Sequence, residues 1–506
     1  MPGAITRRDA LYGMGAPLLQ SASKSTAILR PNFLFILADD HAGYVWAADG
    51  NRIARTPNLN RLANQGVRFS RHYCNSPVCT PSRQSLFTGQ MPHMAGVTRL
   101  MTPLAEGKPT LARQFRNAGY TTAVFGKMHF QRPGVPGIHG FELAHTEDVL
   151  TREWQQQVKR RPLPPGTPVQ PPWKPFKDLA RIWLNADKRP YGCYDDDMRA
   201  SFQVRQVKQF LNTHKDRPFA LWVSFLEPHS PFHFPYEYRD KFAPKQFQPP
   251  PLGPEDAWQI PLIFRDLTED DKRGIIAAYY TSVEFLDRNV GRVLGKLAEL
   301  GLDRNTVVVY TADHGYDLGH HGRFEKHCGF DPALRVPLVI RDPRGIKPRV
   351  ISDLTEHIDV PATITDLMGL EPLPIQHGRS LRPYLEGKPV QPRDHIFSEY
   401  LENEEAYIRT PRWKFIYCTG KRARQDGYGT ANPTPGRYTI LYDLNSDPDE
   451  FHNVAANHPE IVAEMKRLML DRFRSTHPEA KAEPRGTLEE SLDYYLRPRD
   501  AQASSS

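Results

Sequence analysis

The run Asn32-Phe33-Leu34-Phe35-Ile36-Leu37-Ala38 passes directly into Asp39-Asp40-His41. An unbroken apolar run of this kind reads as a strand covered on both faces, because a strand with one wet face would alternate. Outward from it the same pattern recurs. Thr121 to Phe125 predicts a short strand ending in Gly126-Lys127-Met128-His129. Phe219 to Phe225 predicts a buried strand ending in Glu227-Pro228-His229, and Thr306 to Thr311 one ending in Asp313-His314-Gly315. Val336 to Ile340 predicts a further strand. Helices are predicted between them: Asn58 to Gly66 with Gly66 as C-cap, Ala112 to Gly119, Phe202 to Leu211, and a long helix within 270–300. On that last helix Val283, Leu286, Val290, Val293, Leu294 and Leu297 fall on one face. Four strands that end in polar clusters, several of them separated by helices, predict an α/β fold with its site at the carboxyl ends of the strands.

The chain has 506 residues, which predicts one large domain and a smaller one. Its 47 prolines predict many turns and rigid loops, and the stretch 132–200 reads as an irregular, substrate-shaping insertion. From about residue 390 the texture changes to short β-like runs: His395–Tyr400, Ala406–Arg409, Lys414–Cys418 and Tyr438–Leu444. These predict an antiparallel sheet, followed by an amphipathic helix from Pro459 to Phe473. The expected organisation is a leader at 1–29, a large domain at 30–387 with its boundary near Gly387, a small α+β domain at 388–480 and a loose polar tail at 481–506.

The net charge is +8, from 66 basic and 58 acidic residues. A solvated basic surface explains it, and so does attraction of an anionic substrate. No lysine–arginine block with interleaved aromatics is present, which argues against nucleic acid. No apolar run approaches the roughly 20 residues needed to span a bilayer. The five cysteines, Cys74, Cys79, Cys193, Cys328 and Cys418, are odd in number and fit no zinc spacing, so at least one is unpaired or modified. Thr6-Arg7-Arg8-Asp9-Ala10-Leu11, ahead of a weakly apolar stretch to Leu19, resembles a twin-arginine export signal and predicts a periplasmic or extracellular location.

The segment Cys79-Thr80-Pro81-Ser82-Arg83-Gln84-Ser85-Leu86-Phe87-Thr88-Gly89 reads as a cysteine at the start of a helix. A helix N-terminus lowers a thiol pKa and attracts anions. Local features leave two readings level: a nucleophile at an anion-binding helix end, or a buried structural cysteine.

Cys79-x-Pro81-Ser82-Arg83 followed by Leu86-x-Thr88-Gly89 resembles the signature of the type I sulfatases, members of the alkaline phosphatase superfamily. The resemblance spans roughly residues 30–455. Asp39-Asp40 is similar to the family's first pair of metal-binding carboxylates, and Gly126-Lys127-Met128-His129 to its Gly-Lys-x-His element. Pro228-His229 resembles a sulfate-contacting loop. Asp313-His314-Gly315, with Leu318-Gly319-His320-His321-Gly322 and Lys326, resembles the second metal half-site and a sulfate-binding lysine. Arg335-Val336-Pro337-Leu338, Leu441-Tyr442-Asp443-Leu444, Asp447-Pro448 and Asn453 resemble further landmarks.

The resemblance implies a large, mostly parallel mixed sheet flanked by helices, and a smaller antiparallel C-terminal sheet. It implies that Cys79 is oxidised to formylglycine by a separate formylglycine-generating enzyme. It further implies that Asp39, Asp40, residue 79, Asp313 and His314 bind calcium, or else magnesium or manganese, an imidazole at 314 being softer than an amide oxygen. Arg83, Lys127 and Lys326 would balance charge on the transferring group. One hydroxyl of the hydrated aldehyde attacks sulfur, and His229, with Lys326, protonates the leaving alcohol. His129 then takes the proton of the second hydroxyl, expelling sulfate. His41, His320 and His321 are expected to support these groups. The expected substrate is a sulfated carbohydrate. The alternatives are choline sulfate, a phosphonate or phosphate monoester, and a catalytically silent sulfoglycan-binding protein.

Overall fold

The computed structural model describes residues 30–132, 134–170, 184–420 and 437–500. The twin-arginine-like stretch lies outside them. Nine strands build the main sheet: β1 (Asn32–Asp39), β2 (Val67–Tyr73), β3 (Thr121–Gly126), β4 (Leu143–Thr146), β5 (Phe219–Pro228), β6 (Thr306–Ala312), β7 (Arg335–Arg341), β8 (Arg349–Ile351) and β9 (Thr355–Glu356). The order is β4-β3-β5-β1-β6-β7-β2-β8, with β9 beside β2. From β4 to β6 every neighbouring pair is parallel, whereas β7 runs antiparallel to both β6 and β2. A second sheet of four antiparallel strands follows: β10 (Ile396–Tyr400), β11 (Glu405–Arg409), β12 (Trp413–Cys418) and β13 (Tyr438–Asp443).

The helices that matter for the site and the core are α1 (Pro57–Ala63), α2 (Cys79–Thr88), α3 (Leu111–Asn117), α4 (Glu147–Gln157), α5 (Arg199–His214), α6 (Glu269–Glu299), α7 (Asp359–Met368), α8 (Pro459–Thr476) and α9 (Leu488–Tyr495). The unbroken apolar character of β1 follows from two cores. Leu34, Ile36 and Ala38 pack into one with Phe202 and Val207 of α5 and Val283, Leu286 and Val290 of α6. Phe33, Phe35 and Leu37 pack into the other with Leu86 and Phe87 of α2, Phe115 of α3 and Ile364 of α7. Each such leucine, isoleucine or phenylalanine stabilises the fold by roughly 1.5–3 kcal/mol relative to exposure. The antiparallel sheet buries Phe397, Ile408 and Phe415 against Met469 and Phe473 of α8 and Leu492 and Tyr495 of α9. The described residues from Pro31 onward form one compact unit.

Three local expectations are corrected. Helix α1 ends at Ala63 with Asn64 at its cap, so Gly66 is not the C-cap. Gly66 is needed instead because a Cβ there would stand 2.7 Å from the Ile340 carbonyl oxygen. The stretch 132–200 is not irregular throughout, since it contributes β4 to the sheet edge and α4 beyond it. The chain from 481 to 500 is not loose, because α9 is capped by Thr487 and Glu490 and seats Leu492 in the core. Beyond α9, the Asp500 carboxylate accepts hydrogen bonds from Thr98 N (2.6 Å), Arg99 N (3.0 Å) and the Thr102 hydroxyl (2.6 Å).

Candidate active site

Four neighbouring parallel strands, β3, β5, β1 and β6, end side by side, and each delivers its polar cluster to one place. β1 gives Asp39 and Asp40, with Asp40 at φ +67° turning the chain off the sheet. β3 gives Lys127. Gly126 before it sits at φ +109°, where an added Cβ would stand 1.9 Å from the Ser224 carbonyl oxygen, so only glycine fits. β5 gives His229, and β6 gives Asp313 and His314, with Lys326 on the loop that follows. Helix α2 points its first residue, Cys79, into the same space.

The Cys79 sulfur lies 3.1 Å from His314 Nε2, 3.1 Å from Lys326 Nζ, 3.7 Å from Asp39 Oδ1 and 4.0 Å from Lys127 Nζ. Lys326 donates to Asp40 Oδ1 at 2.7 Å, and Lys127 donates to Asp39 Oδ2. Arg83, one turn into α2, donates through Nε to Asp313 Oδ2 at 2.8 Å and stands 3.4 Å from Asp39 Oδ1. Its Nη1 is held by the Lys127 carbonyl (2.6 Å) and the Ser224 hydroxyl (2.9 Å). Asp313 Oδ1 accepts the backbone N–H groups of Asp40 and His314, each at 3.0 Å. His314 Nδ1 bonds to the Gly315 carbonyl at 3.0 Å, so the proton is on Nδ1 and the Nε2 lone pair faces the centre. His229 is held in the same way, Nδ1 on the Ser230 carbonyl at 2.7 Å. His129 stands one step out, with Nδ1 at 3.3 Å from the Thr80 hydroxyl.

Burial and charge set the protonation states. Burial alone would raise Asp39, but Lys127, Arg83 and Lys326 together hold it well below the usual carboxylate range. Asp40 is pushed up to about 8 by burial and by the neighbouring Asp39 and Asp313, against the pull of Lys326. Asp313 is pushed up to about 6, again by burial first. Burial and the nearby lysines hold His129, His229 and His314 neutral. Burial likewise pushes the Cys79 thiol up to about 12, reversing the expectation that the helix end would acidify it. A thiol so protonated is a poor nucleophile at neutral pH.

The donor set suits a hard divalent cation. Asp39, Cys79, Asp313 and His314 offer ligand atoms within 4.8 Å of one another, as do Asp39, Asp40, Cys79 and His229. Asp40 Oδ2 is buried with no hydrogen-bond partner, and burial drives two of the three carboxylates toward protonation. A cation among them answers both.

The supporting histidines of the sequence reading lie elsewhere. His41 bonds Tyr310 and the Val45 carbonyl, His320 packs edge-on to Tyr44, and His321 pairs with Asp256 and stacks on Phe330. Residues the sequence reading missed do the supporting. Ser224, a polar break in the apolar run of β5, bridges Arg83 and Lys127. His357 reaches the Ser82 hydroxyl at 3.1 Å from 275 residues away, which no local signal announces. Glu147, at the start of α4, brings Oε1 to 3.6 Å from His129 Nε2.

Comparison with known proteins gives two family matches. The Sulfatase model covers residues 31–370, and the model of the N-sulphoglucosamine sulphohydrolase C-terminal region covers residues 319–475. The choline-sulfatase of Rhizobium meliloti (strain 1021) is 29% identical over 476 residues, covering 90% of this chain and 88% of that protein. The N-acetylglucosamine-6-O-sulfatase of Bacteroides thetaiotaomicron is 26% identical over 502 residues, covering 87% of this chain and 85% of that protein. Among solved structures, the phosphonate monoester hydrolase of Agrobacterium radiobacter superposes with a TM-score of 0.73 at 26% identity, over 90% of this chain and 97% of that one.

Proposed function

With residues 31–370 matched by the Sulfatase model, the chain belongs to the sulfatase family of sulfuric ester hydrolases, and from that footing we propose that it desulfates a carbohydrate, with the oxidised, hydrated form of residue 79 as nucleophile. The observation that carries the mechanism is the position of residue 79, at the head of α2 and 3.1 Å from both His314 and Lys326. The thiol itself is too basic to serve, so the oxygen nucleophile of a formylglycine hydrate is the chemistry that fits. A formylglycine-generating enzyme must act first.

Asp39, Asp40, Asp313 and His314, with an oxygen on residue 79, would hold calcium, or magnesium or manganese in its place. Bound there, the cation supplies Lewis-acid polarisation of hydroxyl and sulfate oxygens. Asp313 accepts the proton of the attacking hydroxyl. Arg83, Lys127 and Lys326 offset charge on the sulfuryl group as it transfers. Lys326 stays protonated beside residue 79, and His229 gains proton affinity once an anionic sulfate sits against it, so His229, assisted by the Lys326 ammonium, serves the leaving alcohol. His129, held neutral, is the acceptor for the second hydroxyl proton.

Support for a carbohydrate comes from the N-acetylglucosamine-6-O-sulfatase relative and from the N-sulphoglucosamine sulphohydrolase match. The test is a panel of sulfated mono- and oligosaccharides with choline sulfate included. A clear preference for one sulfated sugar is expected, and a preference for choline sulfate overturns the carbohydrate assignment. The likeness to a phosphonate monoester hydrolase favours a second, weaker activity on phosphonate esters, read by a matched sulfate and phosphonate ester pair. Among the described residues no helix is long and apolar enough to cross a membrane, and the twin-arginine-like leader is proposed to direct export.

A further inference from the structure

A cavity of about 340 Å³ opens beside the catalytic centre, between the loop after β3 and the start of α4. Its polar walls are His129, Gln131, Arg132, Thr146, Glu147 and Asp148. His129 ties it to the chemistry, because one ring nitrogen contacts Thr80, next to residue 79, and the other faces Glu147. The lining is unevenly committed. Asp148 is engaged by the Thr146 hydroxyl (2.5 Å) and by Gly134 N (3.3 Å). Gln131 Nε2 is engaged by the Leu100 carbonyl at 3.0 Å. Glu147 is engaged through Oε1 alone, 3.6 Å from His129 Nε2; its Oε2, the inner oxygen of a side chain 37% exposed, has no hydrogen-bond partner. A shielded carboxylate oxygen without a donor is costly unless something brings one.

We propose that this cavity is the subsite for the sugar ring carrying the sulfate, and that Glu147 is a specificity-determining residue that accepts a hydrogen bond from a ring hydroxyl. This rests on the carbohydrate reading above. The lining mixes a guanidinium donor with a carboxylate acceptor, as the alternating hydroxyls of a sugar require. An aryl or steroid group would leave both unpaired. A quaternary ammonium would need an aromatic cage, and among the described lining residues Phe130 is the one phenylalanine, with no tyrosine or tryptophan. Burial raises the Glu147 carboxyl above its usual range against the pull of Lys127 and Arg83, so the same charges that surround residue 79 reach into this cavity.

The test compares wild type, Glu147→Ala and Glu147→Gln, each bearing formylglycine and calcium. Substrates are the best sulfated monosaccharide of the panel, its monodeoxy analogues and 4-nitrophenyl sulfate, which has no sugar. Expected for Glu147→Ala is a fall of about tenfold to a hundredfold in the ratio of kcat/KM for the sugar to kcat/KM for the aryl ester, mostly through KM. One deoxy analogue should show the same deficit with wild type and no further loss with Glu147→Ala. Glu147→Gln keeps an acceptor oxygen and should recover part of the selectivity. Equal losses on sugar and aryl ester would show that Glu147 serves His129 rather than the sugar, and would overturn the inference. So would an unchanged ratio. If wild type turns over the aryl ester and no sulfated sugar, the carbohydrate reading fails first and the inference falls with it. If the sugar is turned over and the ratio is unmoved, the inference alone fails.

Discussion

At the scale of single residues, the site packs three buried carboxylates, Asp39, Asp40 and Asp313, against three buried cations, Arg83, Lys127 and Lys326. Asp40, raised to about 8, holds its proton in the metal-free protein at neutral pH, and Asp313, raised to about 6, binds one only below neutrality. A cation must displace those protons, so calcium affinity should rise as pH goes from about 6 to 8 and level off above. Calorimetric titration across that range, with proton release measured from buffer dependence, checks the sign: affinity that falls with pH contradicts it. In the absence of cation the same raised values predict that stability declines as pH rises toward 8, since the unfolded carboxylates ionise near their ordinary values while the folded ones resist. Thermal melts with and without chelator should diverge most above pH 8. Arg83 acts on the developing charge, and Arg83→Ala should cost about 10²–10³ in kcat. Because that guanidinium also pairs with Asp313 and Asp39, the variant's calcium affinity should be measured beside its rate.

At the scale of elements, the convergence of four parallel strand ends was legible in the sequence because each apolar run stops on a polar cluster. Gly126 shows what such a junction demands. Gly126→Ala should destabilise the protein by roughly 3 kcal/mol, from the positive φ and the contact with the Ser224 carbonyl, as read by chemical denaturation. An unchanged midpoint would mean that β3 and β5 can part without loss. Less was legible where burial depends on distant partners. β4 and α4 were hidden in a proline-rich stretch because their apolar residues, such as Leu150 and Trp154, find their core only once α5 is in place. The role of Gly66 depends on β7, and that of His357 on α2. The tail misled for the same reason: its polar composition conceals Asp500, whose partners lie some 400 residues earlier. Those partners hold the loop whose Leu100 carbonyl accepts from the Thr80 hydroxyl beside residue 79. Asp500→Ala should therefore loosen residues 98–102 and raise protease sensitivity there, which limited proteolysis with peptide mapping would read.

At the scale of the whole molecule, the main sheet and its helices hold Cys79 in a buried cage of charge. The five cysteines are all buried and unpaired with one another. In the proposed reading the fold forms with a thiol at position 79, and activity depends on a modification made by another enzyme. The most direct test is to produce the protein with and without the formylglycine-generating enzyme, measure by peptide mass the fraction of aldehyde at residue 79, and compare it with turnover of a sulfate ester. The account predicts turnover proportional to the aldehyde fraction, vanishing for the thiol form and for Cys79→Ser while their folded spectra match the active enzyme. Full turnover from protein carrying only thiol at residue 79 would contradict it.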